Sequence, residues 1–371
     1  MIFGCGWFCS AEDLAMDVLV SVIIPAYQQE KWIGRCLRSV LASSYRNLEI
    51  VVVNDESTDK TEEVVKKYIE KTNAGGGPGL KLINIPHGGP SRARNAGLRE
   101  ARGQFIGFLD ADDMMGAQMI GRLAKSLLRG NDLAACGRQI CDENGAPGRF
   151  QYPLRAKRRR CPGPALELVM WEQILMSIAP ILFRREIILD EDGNLLVEFP
   201  EEIHEFEDFV FVCRYISRCK GSLEVIPFYG TMYCKRAGSL TAKARTVEEL
   251  RYAMRLILDI GERAGGGKLT AHKLQYAFRF MAFWYKEALR CGKKDFSPGC
   301  ESWKVCMEEL ERYAGVFMSA GNVPCYQKLA MHIVRKHGEA GRILIKAAGK
   351  LWLVRMAFGM RAKQDDGAGS K

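Results

Sequence analysis

Residues 20–27 read Val20-Ser21-Val22-Ile23-Ile24-Pro25-Ala26-Tyr27, a β-branched apolar run that ends on a proline and an aromatic ring. Such a run predicts a strand buried on both faces, and strands of that kind belong to parallel sheets covered by helices. Outward from it, Trp32 to Leu41 reads as a helix with Ile33, Leu37, Val40 and Leu41 on one face, and Leu48 to Val53 as a second strand. The acid-rich turn Asn54-Asp55-Glu56-Ser57-Thr58-Asp59 follows, with Asp59 placed to cap a helix from Glu62 to Glu70. Asn73 to Gly79 is a loop by composition, Leu80 to Ile85 a third strand, and His87-Gly88-Gly89-Pro90-Ser91 opens a helix through Arg102. Phe105 to Leu109 is a further strand that runs directly onto Asp110. Helix and strand patterns thus alternate as in an α/β fold with a mixed, mostly parallel sheet flanked by helices. Each strand hands over to polar residues at its carboxyl end, the edge where open sheets of this kind bind ligands. Beyond Met114 the reading continues with a helix to about Leu128, a strand from Leu133 to Ile140 and a basic loop from Arg155 to Arg160. That loop is either a solvated surface or a contact for a phosphorylated acceptor.

The chain of 371 residues is long for one small core, so a catalytic domain with a C-terminal appendage is expected. Hydrophobic residues at 47% and charged residues at 26% argue against disorder. A net charge of +10 favours an anionic partner without choosing among a nucleotide, an acidic lipid surface and nucleic acid. The 13 cysteines show no Cys-x-x-Cys pair and no zinc spacing, which suits reduced thiols of the cytosol. The first 16 residues carry no Lys or Arg, a poor fit to a signal peptide, and are expected to be a leader outside the fold. No apolar run approaches the ~20 residues of a membrane span, so membrane contact would be peripheral.

Asp110, Asp112 and Asp113 crowd the end of one predicted strand. Close carboxylates repel unless a cation lies between them, and hard oxygen ligands select Mg²⁺ or Mn²⁺. An isolated Asp-x-Asp reads first as a solvated turn that caps the next helix, from Met114 onward. Its position shifts the balance, because Asp55 offers a second carboxylate on the same sheet edge, suited to a uracil imide N–H. Pro25-Ala26-Tyr27 offers backbone groups and an aromatic face for a base. Gly88-Gly89 lets backbone approach a ligand at a helix N-terminus, where Arg92 and Arg94 could reach phosphate.

The runs 20–27, Val53 to Asp59, Ala93-Arg94-Asn95-Ala96-Gly97 and Phe108-Leu109-Asp110-Ala111-Asp112-Asp113 closely resemble, in order and spacing, the family two glycosyltransferases with a GT-A fold, of the bacterial capsule and exopolysaccharide type. The resemblance implies inverting transfer of a sugar from a nucleotide-diphosphate donor, often a UDP-sugar, to a saccharide or lipid-linked acceptor in cell-surface polysaccharide synthesis. It implies a donor site drawn from Pro25, Ala26, Tyr27, Glu30, Asp55, Gly89, Arg94, Asn95, Asp110, Ala111 and Arg236, with Asp112 and Asp110 holding Mn²⁺ or Mg²⁺. Glu207-Asp208 resembles the family's Glu-Asp motif before a helix, which makes Asp208 the expected base and Glu207 its catalytic neighbour. Helix N-terminal charge is the blander reading of that pair. Two positions depart from the pattern: Gln28 stands where Asn is frequent, and Glu56 where Gly is usual.

The expected organisation is a catalytic domain over 17–245, a helical region over 246–363 and a frayed tail over 364–371. Within 333–363, basic residues and an apolar helix face suit either an anionic membrane surface or packing on the catalytic domain. The expected location is cytoplasmic, peripheral at the inner face of the plasma membrane if the first alternative holds, with no nucleic-acid partner. Two rivals remain open. A sugar nucleotidyltransferase would need a glycine-rich basic loop where Ala26 to Glu30 stands, and a catalytically inactive nucleotide-binding scaffold would be expected to lose the metal or base carboxylate.

Overall fold

A computed structural model describes residues 18–151, 157–161, 165, 177–203 and 207–235. The chain divides into two compact units, Met1–Arg245 with Glu249–Gly265, and Thr246–Glu248 with Gly266–Lys371. All described residues lie in the first. Arg236 and the basic C-terminal stretch 333–363 lie outside the described residues.

In chain order the strands are β1 (Val20–Ala26), β2 (Leu48–Asp55), β3 (Gly79–Ile85), β4 (Phe105–Phe108), β5 (Met114–Met115), β6 (Leu133–Cys141), β7 (Pro147–Gln151), β8 (Lys157–Arg160), β9 (Ile181–Arg184) and β10 (Ser222–Cys234). The helices are α1 (Ile33–Leu41), α2 (Thr61–Gly75), α3 (Gly89–Glu100), α4 (Met119–Leu128), α5 (Arg185–Ile188) and α6 (Glu207–Arg218). The sheet runs β3-β2-β1-β4-β9-β6-β10-β5, with β7 added to β6 and β8 to β10. Its long ladders are parallel: β1 with β2 and β4, β2 with β3, and β6 with β10. The antiparallel β9 separates the two parallel groups.

Alternation along each strand divides the core between two faces. On one face Val22, Ile24, Ile50 and Val52 pack with Ile33, Leu37 and Val40 of α1 and with Ile120 and Leu123 of α4. On the other, α3 lies against β1 and β2 so closely that a Cβ at Gly97 would come within 2.5 Å of Ile23. A glycine is therefore required there, which gives the Arg-Asn-Ala-Gly motif a packing reason. α6 shares this second face through Phe211, which meets Phe108 and Phe183 edge-on at 5.7 and 5.5 Å.

Three local expectations change. The helix expected from Met114 begins only at Met119, because Met114 and Met115 first pair with Met232 and Thr231 of β10. Asp113 is not a helix cap: its carboxyl accepts the Cys234 N–H at 2.9 Å. The basic segment expected as a loop forms strand β8 over Lys157–Arg160, because backbone pairing with Ser222–Val225 satisfies its polar groups while the Arg side chains stay exposed.

Candidate functional site

The carboxyl ends of β1, β2 and β4 and the first turns of α3 and α6 bring the expected residues to one edge of the sheet. At its centre is Arg94, whose side chain is only 5% exposed. Nη2 donates to Asp110 Oδ1 at 2.8 Å, and Nη1 donates to Glu207 Oε1 at 3.1 Å and lies 3.2 Å from Asp208 Oδ1. One cation thus joins the metal-type motif after β4 to the acidic pair at the start of α6. Beneath it lies an apolar floor: the guanidinium sits 5.4 Å above the Phe199 ring, which stacks on Phe211 at 4.0 Å.

That floor sets the electrostatics. Burial pushes the Asp208 carboxyl up to about 7; Arg94 opposes this, while Glu207 and Asp110 reinforce it. Ile178 N–H donates to its Oδ2 at a long 3.3 Å, and Oδ1 has no hydrogen bond among the described residues. Burial by itself would weaken the hold of Arg94 on its proton, but Asp208, Asp110 and Glu207 outweigh it and keep the guanidinium charged. The neighbouring Asp113 carboxyl is raised well above the ordinary range by burial and then by Asp110 and Asp112.

The β2 side of the edge is built differently. Asp55 is buried, and its two carboxylate oxygens accept the N–H groups of Gly88 at 2.8 Å and Gly89 at 2.9 Å. His87 Nδ1 lies 2.9 Å from the same carboxylate, and its ring stacks on Tyr27 at 4.3 Å. Tyr27 is 44% exposed, so it forms a surface rather than core. Gly89 has φ +85°, backbone that glycine adopts without strain. The loops after β1 and β2 are laced together by Gln28 N–H to Ser57 Oγ, Gln29 N–H to Thr61 Oγ1 and Glu30 N–H to Asp59 Oδ2. The Glu30 carboxylate in turn accepts the Lys60 N–H at 3.1 Å.

Gln28 and Glu56, the two departures from the family pattern, are the two non-glycine residues with positive φ among the described residues, at 55° and 57°. The left-handed region is where Asn and Gly are least strained, which accounts for their usual presence at these positions. Here each strained residue is tied down: Gln28 Nε2 donates to Thr58 Oγ1 at 2.8 Å, and Glu56 accepts the His87 N–H at 3.0 Å.

Of the remaining expected site residues, Pro25 and Ala26 end β1 and Ala111 is buried between Asp110 and Asp112. Asn95 is buried and clamps a loop: Nδ2 donates to Phe199 O and Glu201, and Oδ1 accepts the Phe199 N–H. Asp110 is 34% exposed and Asp112 half-buried, with Arg35 holding the Asp112 carbonyl at 2.9 Å. No three His, Cys, Asp or Glu side chains among the described residues converge as a metal cage. Two carboxylates at an open strand end nonetheless fit Mg²⁺ or Mn²⁺, which take one or two protein carboxylates and complete their shell with phosphate oxygens and water. His87, Arg35 and Phe199 are parts of the edge that sequence reasoning missed. His87 had a readable signal in its place before Gly-Gly-Pro at a helix start, whereas Arg35 and Phe199 reach the site only through tertiary packing.

The sequence profile of Glycosyl transferase family 2 matches residues 21–191. The chain is 31% identical over 212 residues to the uncharacterized glycosyltransferase EpsJ of Bacillus subtilis, which covers 53% of this chain and 55% of that protein. It is 30% identical over 207 residues to an uncharacterized glycosyltransferase of Haemophilus influenzae, covering 55% of this chain and 74% of that one. It is 29% identical over 269 residues to the poly(ribitol-phosphate) beta-N-acetylglucosaminyltransferase TarS of Staphylococcus aureus, 70% of this chain and 43% of TarS. The crystal structure of TarS 1-349 with UDP-GlcNAc superposes with a TM-score of 0.64 at 22% identity, covering 89% of this chain and 91% of that one, so the two share a fold. The chain spans about half the length of the Bacillus protein it matches, at 55%.

Proposed function

The chain is a glycosyltransferase belonging to family 2, and on that premise we propose that it is an inverting, divalent-metal-dependent enzyme that moves a sugar from a UDP-sugar to a saccharide or lipid-linked acceptor in cell-surface polysaccharide synthesis. The observation that carries this reading is the Arg94 bridge between Asp110 and Asp208, which brings a donor-side carboxylate and a base with pKa about 7 to one edge. UDP-GlcNAc is the molecule bound by TarS, which makes a UDP-sugar the first donor to try.

In this reading Asp208 accepts the proton of the acceptor hydroxyl as its oxygen bonds to the anomeric carbon and the bond to the nucleotide diphosphate breaks. A base with pKa near the working pH is both sufficiently ionised and sufficiently basic for that step. Glu207 and Arg94 position Asp208, and Asp55 and Tyr27 recognise the base of the nucleotide. Asp112 and Asp110 would hold Mn²⁺ or Mg²⁺, which supplies charge neutralisation for the departing diphosphate. Residues 17–245 form the catalytic domain of the proposal. Its cytoplasmic location and the contact of 333–363 with an anionic membrane surface belong to it too.

The test is a screen of nucleotide sugars for donor hydrolysis with Mn²⁺ or Mg²⁺, beside EDTA, Asp112→Ala and Asp208→Asn. Hydrolysis that depends on metal and is lost in Asp112→Ala is expected; hydrolysis indifferent to both would refute the metal assignment.

A further inference from the structure

Among the described residues two short outer strands, β7 on β6 and β8 on β10, pair on one side only, and they differ in chemistry. β8 carries Arg158, Arg159 and Arg160, all exposed, the charged edge that discourages strand addition. β7 instead carries Phe150, 57% exposed, stacked at 4.2 Å on Tyr229 of β10. An aromatic side chain left in water forgoes the gain of burial, and Phe150, backed on one face by the half-buried Tyr229, keeps its outer ring face open to a ligand.

Register locates this surface. Phe150 pairs with Gln139 of β6, and Tyr229 with Gly137, so the rings meet over a position that puts no side chain between them. Alternation puts Gly137 and Gln139 on the face of Leu133 and Ala135, whose partners are Phe183 and Ile181. Phe183 packs against Phe211 of α6, the helix that begins with Glu207 and Asp208. The aromatic pair therefore faces the same side of the sheet as the base. It is also near the active edge. Gln139 is two residues before Cys141, about 7 Å along the strand, and Cys141 pairs with Cys234, whose N–H binds Asp113.

We propose that Phe150, held in place by Tyr229 behind it, offers a stacking surface for a neutral sugar ring of the acceptor chain. The apolar C–H face of a pyranose matches the electron-rich face of an aromatic ring. The Gln139 amide, half-buried opposite Phe150 with its Nε2 donating to Gly148 O, gives the polar flank that a sugar's hydroxyl edge needs. Two rings are far too little area for a stable protein partner, which requires on the order of 1,000 Å². The proposal rests on the transferase reading of the Asp208 edge and adds to it the direction from which the acceptor chain enters.

The test uses the full chain with UDP bound and four soluble probes: cellotetraose, chitotetraose, maltotetraose and a hyaluronan tetrasaccharide. Binding is followed by saturation-transfer NMR, and UDP-sugar hydrolysis without acceptor is measured in parallel. At least one neutral tetrasaccharide is expected to bind. Phe150→Ala should weaken it by about tenfold, Phe150→Trp should retain it, and hydrolysis should stay within about twofold in both. Equal binding by wild type and Phe150→Ala, preference for the anionic hyaluronan probe, or binding of none of the four would overturn the stacking surface. Wild-type protein that neither binds UDP nor hydrolyses any UDP-sugar would instead overturn the transferase reading beneath it.

Discussion

Asp55 and Asp208 are the same residue type on one sheet edge, held in opposite ways. Asp55 sits between two backbone N–H groups and His87, donors that the start of α3 fixes in place. Asp208 shares a single guanidinium with two other acids over a floor of phenylalanines, and its carboxyl titrates at about 7. Backbone donors make a carboxylate a fixed acceptor suited to recognition. A crowded, desolvated ion cluster leaves one acid proton-labile, which suits catalysis. In the proposed function the edge therefore divides into a recognition half at β2 and a chemical half at β4 and α6.

The sharpest test of this division is Asp208→Asn. It should lower transfer by about 10²- to 10⁴-fold while leaving UDP affinity, measured by calorimetry, unchanged; transfer at the wild-type rate would break the contrast. Arg94→Met should destabilise the fold by about 3–5 kcal/mol, read from urea unfolding, because it strands Asp110, Glu207 and Asp208 without their cation. The pH profile of kcat/KM should rise with pH and level off above about 7, since the base acts only when deprotonated. The linked stability runs the other way. An acid whose folded pKa lies above its unfolded value binds its proton more tightly when folded, so the protein loses stability as pH rises from about 4 to about 7. Asp208→Asn should therefore show a smaller fall in Tm between pH 5 and pH 8 than wild type, a comparison that scanning calorimetry makes directly.

In the recognition half the effects should be smaller. Asp55→Ala removes the acceptor for Gly88 and Gly89 and should cost about 1–2 kcal/mol of stability, with a raised KM for donor and little change in the pH profile. Smallest of all is Glu56→Gly. It relieves a left-handed backbone by about 1 kcal/mol and loses a contact to the His87 N–H worth a similar amount. Thermal unfolding should shift by only a few degrees; a large loss would show that Glu56 holds His87 and Tyr27 in place.

The sheet and its candidate site edge were legible in the residues because both are local signals. Val20 to Tyr27, Leu48 to Val53 and Phe105 to Leu109 read as buried parallel strands from apolar continuity, and their carboxyl ends pointed to Asp55, Asp110 and Asp112. The resemblance placed Glu207 and Asp208 just before a helix, and the helix takes both into its first turn. What a linear pattern cannot carry is pairing between distant segments. That Arg94 bridges Asp110 to Glu207, 113 positions after the arginine, rather than standing exposed toward phosphate, depends on α3 and α6 sharing one face. The reassignment of Asp113 from helix cap to partner of Cys234, and of Lys157–Arg160 from loop to strand, rests likewise on β10 arriving beside them. Sequence by itself determined which carboxylates reach the edge. Tertiary structure alone decided which of them is desolvated, because burial and shared counter-charge are properties of packed neighbours and not of the residue.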